Sequence, residues 1–267
     1  MTLAETNART TSTETGTRTA FLVVNSASVP DGRLLAAVKH PGEDLTPDEA
    51  IQRARAGGEP IPIGFQVPVA ACVLRVAPDF SLLNFKCLDE PHFRPREIVN
   101  QFWFGVTHYK ARLVTFNGRG FDLPLLELAA FRYGIQARDY YLARDRYRGP
   151  IDLTDWFTNF GAAPLAGGLD VLAQLLGKPG RKPAPPAVHV DRLYQEGQLQ
   201  AINDRCLCDA LDTYFVFLRT RVMTGDLSPE QEAERVANAR ALLRDKSAEA
   251  PALRGYLGSW ADSALAE

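Results

Sequence analysis

The chain lacks an excess of either charge: 30 basic and 32 acidic side chains leave a formal net charge of −2. That excludes capture of nucleic acid by overall charge, so any such binding needs a local basic surface. No apolar stretch reaches the roughly 18 residues needed to span a bilayer, and the N-terminus lacks the apolar core of a secretory signal. A soluble, cytoplasmic protein with no membrane partner is expected. Cysteine is scarce. Cys72, Cys87, Cys206 and Cys208 are scattered through apolar segments, which argues against a disulfide framework and for a reducing compartment. Cys206 and Cys208 form a C-x-C within a helical run, where their thiols point to different faces, so buried structural cysteines are expected rather than a zinc site. The G-x-x-x-x-G-K-[ST] arrangement is also missing, so the basic run Lys178-Pro179-Gly180-Arg181-Lys182 is not a nucleotide-binding P-loop.

What is present is enough chain, 267 residues, to bury a sizeable core. Residues 1–19 are rich in Thr, Ala and charged residues without periodicity and read as a disordered tail. Residues 20–222 carry no composition break and read as one domain. Glu-, Ala- and Arg-rich segments over 223–267 suggest a C-terminal extension of one or two peripheral helices. Within the domain, Ala20 to Asn25 is a continuous apolar run suited to a central strand. A helix is expected from Pro47 to Ala56, begun by Thr46. Strands over 67–76 and 80–88 form a hairpin around Pro78-Asp79. An amphipathic helix follows from Arg94 to His108. Residues 139–148 interleave tyrosines with arginines, which suits either a single-strand groove or an ordinary surface loop. Leu169 to Leu176 is a short helix ended by Gly177. The basic cluster after it, followed by Pro183 to Pro186, either grips phosphate or is a solvated loop. Gln198 to Arg221 is so apolar that it must be largely buried. Asp209 lies within that run, where a carboxylate is costly unless paired or coordinated.

The organising stretch is Leu113 to Leu126. Leu113 to Phe116 makes a buried strand, and Gly118 and Gly120 allow a sharp turn at its end. A helix begins at Asp122, which suits an N-cap, and runs to Tyr133 before Gly134. Asn117 and Asp122 thus sit together at the carboxyl end of a strand, where open α/β sheets place ligands. Asp152 and Asp155 flank a further helix start and read as caps.

The run Val-Thr-Phe-Asn-Gly-Arg-Gly-Phe-Asp-Leu-Pro-Leu-Leu resembles the second exonuclease motif of the DEDD 3′→5′ exonucleases, most closely the predicted exonucleases related to the proofreading domain of family-B DNA polymerases. Ile151 to Asp155, Leu169 to Leu172, Leu175 to Gly180 and Cys206 to Arg219 follow that family's order and spacing. The resemblance implies a ribonuclease-H-like α/β domain with a mixed five-stranded sheet flanked by helices. It implies catalysis by two Mg²⁺ or Mn²⁺ ions held by four carboxylates, with Asp122 and Asp209 at two of these positions. The family reads Asp-x-Glu-Thr after its first strand. Val29-Pro30-Asp31 sets the register here, so Asn25 stands at the Asp position and Ala27 at the Glu position. The Tyr four residues before the third-motif Asp, which would orient water, is Arg205.

Only Asp122 and Asp209 of the four acids remain, and two-metal catalysis is expected to be lost or greatly reduced, with metal bound weakly or not at all. Ser26, Ser28 and Arg205 also depart from the pattern, more than disabling an enzyme would require, which points to natural divergence. The expected function is an impaired, exonuclease-like binder of single-stranded nucleic-acid 3′ ends, through Asn117, Arg119, Phe121, Lys178, Arg181 and Lys182. An active enzyme with a remodelled site, Asp31 being the nearest spare acid, and a protein-interaction scaffold are the alternatives. Arg205, one helical turn before Asp209, is expected either to reach in and pair with Asp122 and Asp209 or to point to solvent.

Overall fold

The computed structural model describes residues 18–143, 149–180 and 186–260. A five-stranded sheet in the order β3-β2-β1-β4-β5 is built from β1 (Phe21–Pro30), β2 (Gln66–Val76), β3 (Leu82–Cys87), β4 (Arg112–Thr115) and β5 (Ile151–Asp152). β1 lies in the middle, antiparallel to β2 along its length and parallel to β4 from Phe21 to Val23. Side chains alternate across a strand. Leu22 and Val24 therefore join one core, with the helices Pro95–Tyr109 (α3) and Asp122–Tyr133 (α4). Val23 and Val29 join the other, with the helix Leu199–Met223 (α9). The mixed sheet flanked by helices, expected from the sequence, is what the chain forms.

β1 does not stop at Asn25. It runs on to Pro30 because Ser26 to Pro30 pair with Gln66 to Ala71 on β2, with a bulge between Ala27 and Ser28. The substituted motif positions therefore lie within a paired strand and not at its end. Asp31 then caps a helix the sequence did not suggest, Gly32–Lys39 (α1), accepting from Leu34 N at 3.1 Å, and forms an ion pair with Arg132. Both of its roles are structural. The helix Pro47–Ala56 (α2) begins with the reciprocal Thr46–Glu49 capping box.

Two further helices replace expected loops. Arg138–Leu142 (α5) is pinned by Tyr140, whose ring centroid lies 4.8 Å from that of Trp103 and whose hydroxyl donates to Glu127 at 2.7 Å. Tyr140 is thus packed inward and is not a platform for bases; residues 144–148 of the same stretch lie outside the described residues. Pro186–Gln195 (α8) starts on a proline, which ends a helix from inside but suits its first turn. Leu153–Thr158 (α6) and Gly168–Leu175 (α7) complete the set before α9.

α9 is buried on nearly every side from Asp209 to Leu218. One side packs on β1 and β2, and the other needs a cover. Pro229–Lys246 (α10) and Ala252–Gly258 (α11) supply it, bringing Ala239, Leu243, Leu253, Tyr256 and Trp260 into the same core as Val23 and Val114. The segment read as a peripheral extension is therefore part of the main packing. No helix among the described residues is long and apolar enough to cross a membrane.

Candidate active site

The turn after β4 is shaped by close approach. A Cβ on Gly118 would lie 2.2 Å from Thr115 Oγ1, and one on Gly120 would lie 2.7 Å from Asn117 Oδ1, so neither position admits a side chain without movement. Asp152, buried at the end of β5, caps α6 through Thr154 N at 3.1 Å and also accepts from Asn117 N at 2.8 Å and Arg119 N at 2.9 Å. One carboxylate thus ties the turn to the neighbouring strand, a larger task than capping alone.

The turn delivers Asp122 into the core. Asp122 is the first residue of α4 and not its cap; the cap position is Phe121, which makes no side-chain cap bond. The carboxylate turns instead to β1, where Ser26 N and Ser26 Oγ both donate to Asp122 Oδ1, at 2.7 and 2.6 Å. Burial raises the Asp122 pKa from 3.8 to about 7; the Ser26 bonds pull it down and the nearby Asp152 charge pushes it up.

In front of this pair lies a cavity of about 880 Å³. β1 contributes Asn25, Ser26, Ala27 and Ser28, the turn contributes Gly120 and Phe121, and α9 contributes Ile202, Arg205, Cys206 and Asp209. Its far side is formed by Glu59 to Ile63 and Gln66, with the ion pair between Arg55 and Asp191 also on the wall. Asp122 does not line the cavity; it lies behind Ser26. Ser28 Oγ donates to Gln66 Oε1 at 3.2 Å, and Cys206 Sγ donates to Asn25 O at 3.0 Å, anchoring α9 to β1. Burial pushes the Cys206 thiol up.

The structure therefore gathers Asn25, Ala27, Phe121, Arg205 and Asp209 around one cavity, with Asp122 immediately behind. Other expected members are elsewhere or otherwise engaged. Lys178 is buried: its Nζ lies 4.3 Å from the centroid of Trp260 and 5.1 Å from that of Phe215, and donates to Leu176 O at 3.1 Å. Burial lowers its pKa to about 8. It is a strut beneath α11, not an exposed phosphate ligand, because Trp260 covers it. Arg119 forms an ion pair with Asp155 at 2.8 Å. Arg181 and Lys182 lie outside the described residues. Of the two alternatives for Arg205, pairing with the acids is not seen: among the described residues no ion pair joins Arg205 to Asp122 or Asp209, and its Nη2 is buried without a hydrogen-bond partner. Offset of the buried Asp122 comes instead from Ser26. No local signal marks Ser26 in the sequence beyond a small polar residue flanked by the two substituted positions.

The residues present do not fit the two-metal arrangement that the resemblance implies. Asn25 supplies an uncharged oxygen and Ala27 none, while the Asp122 oxygen nearest β1 already accepts two hydrogen bonds. Among the described residues, no group of three or more His, Cys, Asp or Glu side chains is placed to hold a metal ion.

No curated protein matches the chain. A family model does match, over residues 59–260, and is described as a predicted 3'-5' exonuclease related to the exonuclease domain of PolB. The match begins after β1, so it covers the turn, α9 and the covering helices but not the strand carrying Asn25 and Ala27. The mixed five-stranded sheet flanked by helices agrees with it, and the chain belongs to this family of predicted 3'-5' exonucleases related to the PolB exonuclease domain.

Proposed function

We propose that this chain is an exonuclease-fold protein that holds the 3′ end of single-stranded nucleic acid and has lost most or all of the hydrolytic chemistry. The carrying observation is the state of Asp122. In a two-metal site an acid at that position faces the ions; here Ser26 N and Oγ occupy its inner oxygen and wall it off from the cavity. With Asn25 and Ala27 beside it, Asp209 is the one family acid left on the cavity wall. Phe121, half-buried in that wall, offers an apolar ring for a terminal base, and exposed Arg119 sits two residues away. The net charge of −2 favours recognition of a strand end over tight binding along a duplex. All four thiols are free, which supports a reducing, cytoplasmic setting.

The test is degradation of a 3′-labelled single strand in Mg²⁺ and Mn²⁺, beside a binding titration at low and raised ionic strength. Salt-sensitive binding with little or no shortening is expected. Metal-dependent shortening abolished by Asp209→Asn would instead establish a working enzyme. Binding absent even at low salt would favour the second reading, a protein-interaction scaffold. That reading draws on Phe104 and Phe131, exposed at 65% and 88% on the packed helices α3 and α4.

A further inference from the structure

We propose that Cys72 and Cys87 form an oxidation site: a hydroperoxide converts this thiol pair to an intramolecular disulfide, and the change loosens α9 where it walls the cavity. The inference stands on the β2–β3 hairpin and does not depend on what the cavity binds.

The two residues face each other across β2 and β3 in the register Cys72↔Cys87. Leu88 N donates to Ala71 O, which makes Ala71 and Leu88 a hydrogen-bonded pair. The next pair along, Cys72 and Cys87, is then of the non-hydrogen-bonded kind. Such pairs bring Cα atoms to about 4.5 Å, inside the range of about 4.4–6.8 Å that a disulfide spans. Both side chains belong to the core shared with α9, and their sulfurs lie 3.4 Å apart.

Access is unequal. β3 is an edge strand of the sheet, and Cys87, its last residue, keeps 8% of its surface while Cys72 on β2 keeps none. Cys87 therefore meets the oxidant. Its sulfur attacks the terminal oxygen of the hydroperoxide, the O–O bond breaks, and an alcohol leaves with the thiol proton, giving a sulfenic acid at Cys87. The Cys72 sulfur then attacks the Cys87 sulfur, the S–O bond breaks, and the hydroxyl leaves with the Cys72 proton as water. Two electrons pass from the two sulfurs to the peroxide. In a reducing compartment the dithiol is the resting form and the disulfide a transient one.

The Cys72 thiol also matters to α9. Its Sγ lies 3.5 Å from Asn203 Oδ1 and 3.6 Å from Asn203 O, within donating distance of both. Asn203 is fully buried, and its amide nitrogen has no hydrogen-bond partner. Oxidation removes the thiol donor and draws the sulfur toward β3, so a buried amide on α9 loses its hydrogen bond to the sheet. Ile202 and Cys206, on either side of it in the chain, line the cavity.

The test is exposure of the reduced full chain to hydrogen peroxide, followed by alkylation of the remaining thiols, peptide mapping by mass spectrometry and amide hydrogen exchange. The expected result is loss of two of the four free thiols and a peptide linked through Cys72 and Cys87, reversed by dithiothreitol. Amides from Leu199 to Cys206 should exchange at least about tenfold faster in the oxidised protein. Cys87→Ser should keep Cys72 reduced under the same treatment, whereas Cys208→Ser should still form the disulfide. Four unreacted thiols, a disulfide to Cys206, or Cys87 stopped at the sulfinic acid beside a reduced Cys72 would overturn the proposal. A Cys72–Cys87 disulfide with unaltered exchange in α9 would overturn the link to the cavity. If the serine variant at Cys87 does not fold, mapping of the unaltered protein decides, since it reads both sulfurs directly.

Discussion

Ser26 carries more of the site than any acid does. Its backbone and hydroxyl donors are what make a buried carboxyl at Asp122 tolerable, and Ser26→Ala removes one of the two. Loss of a buried hydrogen bond to such a group costs about 1–3 kcal/mol, which urea unfolding at neutral pH would measure. Asp212, in the same apolar run as Asp209, is a second buried acid; burial raises it to about 7, against the pull of the Tyr256 hydroxyl at 2.7 Å. For both acids the folded pKa lies above the unfolded 3.8, so the folded state binds the proton more tightly. Their contribution to stability is full below about pH 3.8, shrinks as pH rises, and is lost above about 7. The expected slope is about 1.4 kcal/mol per pH unit for each group. Asp212→Asn should therefore remove roughly one proton's worth of pH dependence between pH 5 and 7, and a variant with an unaltered slope would show that Asp212 ionises freely.

Elements make the next set of expectations. Leu243 of α10 is fully buried in the core shared with α9 and the sheet. Leu243→Ala should cost about 2–5 kcal/mol and shift a single cooperative transition, because α10 and α11 cover α9 and do not form a separate unit. An independent early transition would contradict that packing. The same helices mark where the sequence was readable. The periodicity of α9 and α4, the Thr46 cap and the β2–β3 hairpin were legible because each is decided by neighbours in the chain. The continuation of β1 past Asn25 was not, because Ser26, Ala27 and Ser28 are poor strand formers held by pairing with β2, 43 residues on by the register Ala27↔Ala70. α8 was hidden by its proline-rich approach. Within the site, Asp122, Asp209 and Arg205 could be located from motif spacing. Ser26 could not, since its partner is 96 residues away, and neither could the burial of Lys178, which depends on Trp260 folding back over it.

For the whole molecule, the placement of Asn25 and Ala27 on one cavity with Asp209 gives a direct gain-of-function expectation. The double substitution Asn25→Asp with Ala27→Glu adds two carboxylates to that wall and should raise Mn²⁺ affinity measurably by calorimetry. No gain would count against the register that puts them at the family's first motif. Hydrolysis is not expected to follow, since Ser26 still engages Asp122. The arrangement also bears on how the protein is made. β1 leaves the ribosome before the four strands it shares a sheet with: its antiparallel neighbour ends at Val76, its parallel neighbour at Thr115, and the helix that roofs it does not begin until Leu199. Until β2 and β4 have emerged, the middle of the sheet is an apolar ribbon with open edges, the form most prone to mispairing with another chain, and one of its faces stays uncovered until the helix from Leu199 follows. Chaperone dependence during translation should accordingly be set by this strand, and polar substitution at Val23 or Val24 should ease nascent-chain aggregation while ruining the finished fold.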